Sequence, residues 1–174
     1  MSKKGFPFLF SIIVFLSGIA GLSYELLWIR SIKGYFGSEI FSVSMVVSIY
    51  FAGLGLGGIA ASRLLRRTLS PLKLYAIAEA GLALFSLLFP IFIKLDHQLY
   101  LSLSAVIPSG WWLILKAALS ILLLIIPTTL IGMTLPLIAA IAVSDADIFT
   151  ARFSRFYGLN TLGAVAGCLL FEKI

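Results

Sequence analysis

Two glutamates, Glu25 and Glu79, lie inside long apolar segments of the sequence. A charged side chain at the depth of a lipid hydrocarbon core is costly, so it normally faces the protein interior and marks a functional or packing site. A carboxylate in such a place attracts a cation or carries a proton. Glu25 and Glu79 are therefore the first candidates for a functional site.

Glu25 shares a helical face with small and aromatic residues. Gly18 and Gly21 precede it by seven and four residues, and Trp28 follows it by three, so all four lie on one side of an α-helix. Glycine lets a second helix approach closely. This pattern predicts that the carboxylate points into a bundle of helices.

Two roles for Glu25 fit this position, and the residues alone do not separate them. In the first, Glu25 pairs with Arg30, Lys33 or a neighbouring backbone group and holds helices together. In the second, it binds a cation or a proton.

Glu25 and Glu79 are expected at different depths. Glu79 follows Lys73 by six residues, about 9 Å along a helix, and Glu25 precedes Arg30 by five, about 7 Å. Entering from opposite sides of a core about 30 Å thick, the carboxylates are about 13 Å apart in depth. They cannot share a proton but can form two stations on one pathway. Asn160 is expected near the depth of Glu79, and a Glu79–Asn160 hydrogen bond is the structural alternative.

Further polar side chains lie in the segment PTTLIGMTLP, from Pro127 to Pro136. Proline leaves a carbonyl of the preceding turn unpaired, and nearby threonine hydroxyls help to satisfy local polar groups. The alternatives are an ordinary proline kink and a discontinuous helix of the kind that lines transporter cavities. The candidate intramembrane polar site comprises Glu25, Glu79, Asn160, Thr128 and Thr129.

Glycine-rich stretches predict helix packing rather than nucleotide binding. The run GLGLGG, Gly53–Gly58, resembles a dinucleotide loop only superficially, because a lipid-length apolar segment precedes it instead of a β-strand. Small residues four apart form a stripe against which another helix packs closely. The predicted packing residues are Gly18, Gly21, Gly53, Gly57, Ala61, Gly163 and Gly167.

Composition places the chain among integral membrane proteins. Of its 174 residues, 61% are hydrophobic and 11% charged, whereas about a quarter of a soluble domain is charged. The single cysteine, Cys168, excludes an internal disulfide and a multi-cysteine metal site. Basic residues collect at segment ends, so we expect no nucleic-acid binding. The lone His97 predicts no metal site, and we expect no cofactor.

The hydrophobic pattern predicts an all-α bundle of about five membrane spans, forming a single domain over residues 1–174. A span needs about 20 apolar residues. The fourth segment is too long for one straight span, so a kink or a break is expected at Pro127 and Pro136. The fifth is short, so it is either a marginal span that leans on its neighbours or a truncated one. The segments are Phe6–Ile29, Phe41–Leu65, Leu72–Ile93, Trp111–Val143 and Phe156 to the C-terminus.

The segment Asp96–Gly110, between the third and fourth spans, is expected to form a short interfacial helix. Leu99, Leu103 and Val106 would form its apolar side.

Basic residues predict the orientation. With a cytoplasmic N-terminus, eight of the 13 Lys and Arg residues, including Lys3, Lys4 and the cluster Arg63–Lys73, lie inside, and five, including Lys173, lie outside. The first segment is expected to be retained rather than cleaved as a signal peptide. We therefore expect a multi-pass protein of a bacterial or archaeal plasma membrane.

Five stretches carry a resemblance to a known family: SGIAGLSYELLWIR, SVSMVVSIYFAGLGLGGIAASRL, PLKLYAIAEAGLAL, PTTLIGMTLPLIA and YGLNTLGAVAGCLL. In this order, they resemble the membrane region of spermidine synthase-like proteins, in which a major-facilitator-like membrane part is fused to a spermidine synthase domain.

The resemblance implies a membrane location and an association with polyamines. It does not imply aminopropyl transfer, because these residues include no soluble catalytic domain and no nucleophile–base arrangement, so we expect no enzymatic activity. The expected function is binding or transport of polyamines or other cations. The alternatives are a structural or accessory subunit of a larger membrane complex and a membrane anchor for a separate aminopropyltransferase.

Overall fold

The structure, a computed structural model, describes residues 5–36, 38–67, 70–103, 108–142 and 146–172. Over these residues the chain consists of helices and short connections. The prediction of an all-α bundle is confirmed. The helices are α1 (Gly5–Phe36), α2 (Glu39–Leu65), α3 (Pro71–Leu103), α4 (Ser109–Ala142) and α5 (Ala146–Glu172).

Four of these helices have the length and apolarity of a membrane span. Lipid offers no hydrogen bonds to the backbone, and a helix satisfies its own polar groups within one segment. In the described part of the chain, the candidate spans are Phe8–Lys33, Ile40–Leu65, Pro71–Leu95 and Ile114–Ala142. These match the first four predicted spans, whereas the fifth falls in α5, which is not among the candidates. The length and apolarity of α1 to α4 thus identify the chain as a membrane protein.

Local sequence signals set where α2 and α3 begin. The Ser38 hydroxyl accepts a hydrogen bond from the Phe41 N–H at the start of α2, as serine commonly does at the N-cap. Pro71 opens α3, where its missing N–H costs no helical hydrogen bond. Both helices therefore begin within two residues of the predicted spans.

Helix α5 runs parallel to α1 and lies against it. Near one end, the rings of Phe10 and Phe156 meet edge to face with centroids 5.0 Å apart. Near the other end, the Arg30 guanidinium donates to the Phe171 carbonyl at 3.0 Å. Residues 156–171 advance about 24 Å along their helix, most of a core about 30 Å thick. Although α5 is less apolar than the other four helices, it packs against α1 over nearly the full depth of the α1 span.

Helix α4 continues without interruption through Pro127 and Pro136. The sequence predicts either a kink or a break at these prolines, and the prediction of a break is wrong. Thr128, Thr129 and Thr134 donate their hydroxyls to the carbonyls of residues three or four positions earlier, at 2.6–2.7 Å. The hydroxyls therefore satisfy backbone acceptors of α4 itself, as expected from their place beside the prolines.

The prediction of a separate short interfacial helix is also wrong for the described residues, because α3 continues without interruption through Leu99 to Leu103. Val106 lies outside the described residues, as do Lys3, Lys4 and Lys173, so the orientation of the chain in the membrane stays a prediction.

Two clusters of buried side chains hold the bundle together. One cluster contains Phe10, Val14, Leu74, Leu137 and Phe156. The other contains Trp28, Ile32, Val46, Phe89 and Leu124. Each cluster contains residues from several helices. On α1, the residues of the first cluster precede the stretch Ser17–Tyr24, and those of the second cluster follow it. That intermediate level holds the polar cavity described next.

Candidate functional site

A cavity of about 430 Å³ lies between the two buried clusters, and all five helices contribute to its wall. Much of the wall is apolar, with Ile13, Leu16, Leu82 and Ile131 among its residues. The polar side chains that line it are Ser17, Tyr24, Tyr50, Glu79, Thr134 and Asn160.

Glu79 supplies the negative charge of the cavity. Its Oε1 accepts a hydrogen bond from the Ser17 hydroxyl of α1 at 2.6 Å, so the carboxylate is tied to a neighbouring helix. Tyr75 precedes Glu79 by one helical turn, and its buried hydroxyl lies close to the Ser17 hydroxyl and the Glu79 carboxylate. Among the described residues that line the cavity, one carboxylate thus carries the charge in a setting of hydroxyl groups, and none of these residues is basic.

Asn160 lies on the same cavity wall as Glu79, contributed by α5. The hydrogen bond considered between the two side chains is absent from the described residues, where Ser17 takes that place. The backbone carbonyl of Asn160 instead lies against Gly18, where a Cβ atom would overlap it. Because Gly18 faces α5, the next residue back, Ser17, is turned towards α3.

Glu25 is half-buried on α1 and lies beyond the residues that line the cavity. Within the described residues no hydrogen bond or ion pair engages its carboxylate, so the first of the two roles considered for Glu25, pairing with Arg30, Lys33 or the backbone, is not the one that the structure has. It lies close enough to the Tyr50 hydroxyl for electrostatic interaction. Eight residues separate it from Ser17, about 12 Å along the helix. The separation of about 13 Å expected between the two carboxylates stays a prediction.

Arg30 is engaged with α5 rather than with Glu25. Besides its hydrogen bond to the Phe171 carbonyl, its guanidinium lies 5.2 Å from the centre of the Phe171 ring. A cation beside the last carbonyls of a helix also interacts favourably with the helix dipole. Arg30 therefore holds the end of α5 against α1.

Replacing Arg30 with glutamine removes a charge-assisted hydrogen bond and a cation–π contact, so it is expected to lower the stability of the bundle. The expected loss is only about 1 kcal/mol, because both contacts are exposed to solvent. Thermal unfolding in detergent, followed by circular dichroism, measures the change. Lys94→Gln, at an exposed position on α3, is the control for loss of one positive charge. Equal melting temperatures for the two variants would contradict the role given to Arg30.

Thr128 and Thr129 do not line the cavity. Thr128 is fully buried, and its side chain lies where a Cβ atom on Gly53 would be placed. The Thr129 carbonyl lies against Gly57 in the same way. The two threonines belong to the packing of α2 on α4. Thr134, five residues after Thr129, lines the cavity.

The glycine stripes form two close helix pairs, as their spacing predicts. Gly53 and Gly57 of α2 lie against α4, and Ala61 is fully buried. Gly163 and Gly167 of α5, together with Gly18, form the second pair between α5 and α1.

Gly21 is the exception among the predicted packing residues. A Cβ atom at this position would meet no atom within 4 Å, and Gly21 lines the cavity. Its expected role in packing is therefore wrong, and its missing side chain leaves room in the cavity instead.

Sequence reasoning missed Ser17, Tyr24 and Tyr50 as site residues. Ser17 precedes Gly21 and Glu25 by one and two helical turns, so the i, i+4 spacing could have placed it on their face. Neither tyrosine carries such a signal, because each stands in an apolar segment where an aromatic residue packs equally well.

The chemistry of the cavity suits a cation with an apolar part. No group of three or more His, Cys, Asp or Glu side chains occurs among the described residues that could hold a metal ion. One carboxylate, several neutral oxygen acceptors and aromatic rings instead favour an ammonium group. No family model, no curated protein and no solved structure matches the chain.

Proposed function

We propose that this chain is a membrane protein that binds an organic ammonium ion in the cavity at Glu79, with polyamines as the ligand class that the family resemblance adds. The observation that carries the proposal is that the described residues lining the cavity include one carboxylate, that of Glu79, and no basic side chain. A half-buried carboxylate favours a cationic partner, because burial weakens its solvation by water.

The arrangement of the wall matches the parts of such a ligand. The ammonium group pairs with Glu79 and donates further hydrogen bonds to Asn160 and Thr134, since an ammonium has three donors and no acceptor. The rings of Tyr24 and Tyr50 also line the cavity and add aromatic surface to its wall. Methylene groups of the ligand lie against the apolar side chains of the wall.

Binding at Glu79 would also be the first step of transport. Ser17, Tyr50 and Glu79 each lie about ten residues into a candidate span, and the middle of the membrane is the depth at which transporters bind their substrates. Flux of labelled amine into proteoliposomes would separate a transporter from a protein that only binds.

Glu79→Gln is expected to weaken amine binding at least about tenfold, or about 1.4 kcal/mol, because it keeps the shape of the side chain and removes its charge. Binding of spermidine and of n-octylamine is measured by calorimetry on protein in lipid nanodiscs, with empty nanodiscs as the blank. Glu39→Gln, at the start of α2 outside the candidate spans, controls for loss of one negative charge. If Glu79→Gln binds both amines as tightly as the wild type, the proposal fails.

A second candidate function is that of a subunit in a larger membrane assembly, including an anchor for a separate aminopropyltransferase. It is favoured by the small buried share of α1 and α3, 17% in each of their most apolar windows, against 44% in α4. Those faces are available to neighbouring helices as well as to lipid. Native mass measurement after gentle extraction distinguishes the two, since a chain that runs alone would count against an assembly.

A further inference from the structure

We propose that Glu25 and Tyr50 form a second ammonium subsite, so that the ligand is an elongated diammonium ion bridging Glu79 and Glu25. The inference rests on the proposed function, because it takes the first ammonium group to lie at Glu79. It assigns a binding role to Glu25 and sets the length of the ligand.

A continuous face of α1 leads from one carboxylate to the other. Ser17, Gly21 and Glu25 follow at intervals of four residues, so each is turned about 40° around the helix axis from the one before, and together they form a slowly winding strip of the surface of α1. Ser17 donates to Glu79 at one end of this face. Gly21, in the middle, opens onto empty space. The middle of the path between the two ends is therefore open at Gly21.

Tyr50 joins the cavity to the region of Glu25. Its side chain lines the cavity, and its hydroxyl lies within electrostatic reach of the Glu25 carboxylate. Tyr24, the neighbour of Glu25 in sequence, lines the cavity as well. An ammonium group near Glu25 thus has a carboxylate, a hydroxyl acceptor and an aromatic ring around it, the same set of groups that surrounds Glu79.

Glu25 lacks the partner that its position requires. A carboxylate within a candidate span is costly unless it is paired, protonated or hydrogen-bonded. In the described part of the protein, the basic residue nearest along α1, Arg30, is engaged with α5. A second positive charge on the ligand would meet this requirement.

The separation of the two carboxylates sets the ligand length. Eight residues along α1, from Ser17 to Glu25, correspond to about 12 Å. An extended chain of atoms advances about 1.2 Å per bond, and each ammonium can lie beside its carboxylate, within about 1 Å of the same depth. The two nitrogens are therefore expected to be roughly eight to ten bonds apart.

A series of diamines tests the inference in lipid nanodiscs by calorimetry: 1,4-diaminobutane, 1,8-diaminooctane and 1,12-diaminododecane, with n-octylamine as the monoamine. We expect 1,8-diaminooctane to bind at least about tenfold more tightly than n-octylamine or 1,4-diaminobutane. Glu25→Gln should reduce its affinity to that of n-octylamine and leave n-octylamine unchanged. Thermal unfolding of the variant confirms that the bundle is intact.

The outcomes separate this inference from the proposed function. If n-octylamine binds in a Glu79-dependent manner but diamine length and Glu25→Gln make no difference, the second subsite is wrong and the first stands. If the wild type binds no amine, both are wrong.

Discussion

Gly57→Leu is expected to separate α2 from α4 and to lower the stability of the bundle by more than about 3 kcal/mol, the largest effect expected of any single substitution in this chain. Gly57 lies directly against the Thr129 carbonyl and the backbone of Gly132. The space that a new side chain needs is therefore occupied by the backbone of α4, which cannot move aside as a flexible side chain could. The helices must therefore move apart as units, and the close packing along the whole stripe is lost.

The measurement is unfolding in a detergent series, followed by circular dichroism and by gel filtration. Gly55→Leu is the matched control, since it introduces the same side chain two residues earlier on the exposed face of α2, where a Cβ atom would meet nothing within 4 Å. Similar unfolding curves for the two variants would show that α2 and α4 do not pack through Gly57.

Gly21→Trp is expected to abolish amine binding, with a loss of affinity of more than about tenfold, while the bundle stays folded. Gly21 lines the cavity and faces open space, so an indole introduced there enters the cavity instead of another helix. It takes up volume that the methylene chain of the ligand needs and lies between the two carboxylates.

Calorimetry with 1,8-diaminooctane and n-octylamine, together with the melting temperature, tests this expectation. Gly55→Trp is the matched control, because it adds the same side chain to an exposed helical position away from the cavity. Unchanged affinity in a folded Gly21→Trp variant would place the ligand elsewhere and would overturn the proposed binding site. A variant that unfolds would instead contradict the open space over Gly21.

The two glycines, Gly18 and Gly21, show how far spacing alone can be used. Both stand on the predicted face of Glu25, and their spacing predicts the same role for both. In the structure, Gly18 packs against the Asn160 carbonyl of α5, whereas Gly21 opens onto the cavity. A spacing of three residues leaves them about 60° apart around the helix axis, enough for one to meet α5 and the other the interior.

The partner of Glu79 shows a second limit. The sequence predicts Asn160 near the depth of Glu79, with a hydrogen bond between them as the structural alternative, whereas in the structure the Ser17 hydroxyl donates to Glu79. The contact of Gly18 with α5 fixes the rotation of α1, and that rotation turns Ser17 towards Glu79. The choice between the two partners is thus made by a contact between helices distant in sequence.

Local sequence patterns were enough to predict that the chain forms apolar helices, where α2 and α3 begin, and that Gly53 with Gly57 and Gly163 with Gly167 are packing stripes. These properties depend on residues near one another along one helix. Contacts between helices, by contrast, settle which helix each stripe meets, that Arg30 binds α5, and that Glu79 rather than Glu25 lines the cavity. In an apolar span most faces are equally hydrophobic, so burial does not select a rotation. Close contacts between particular helices select it, and one helix alone does not contain them.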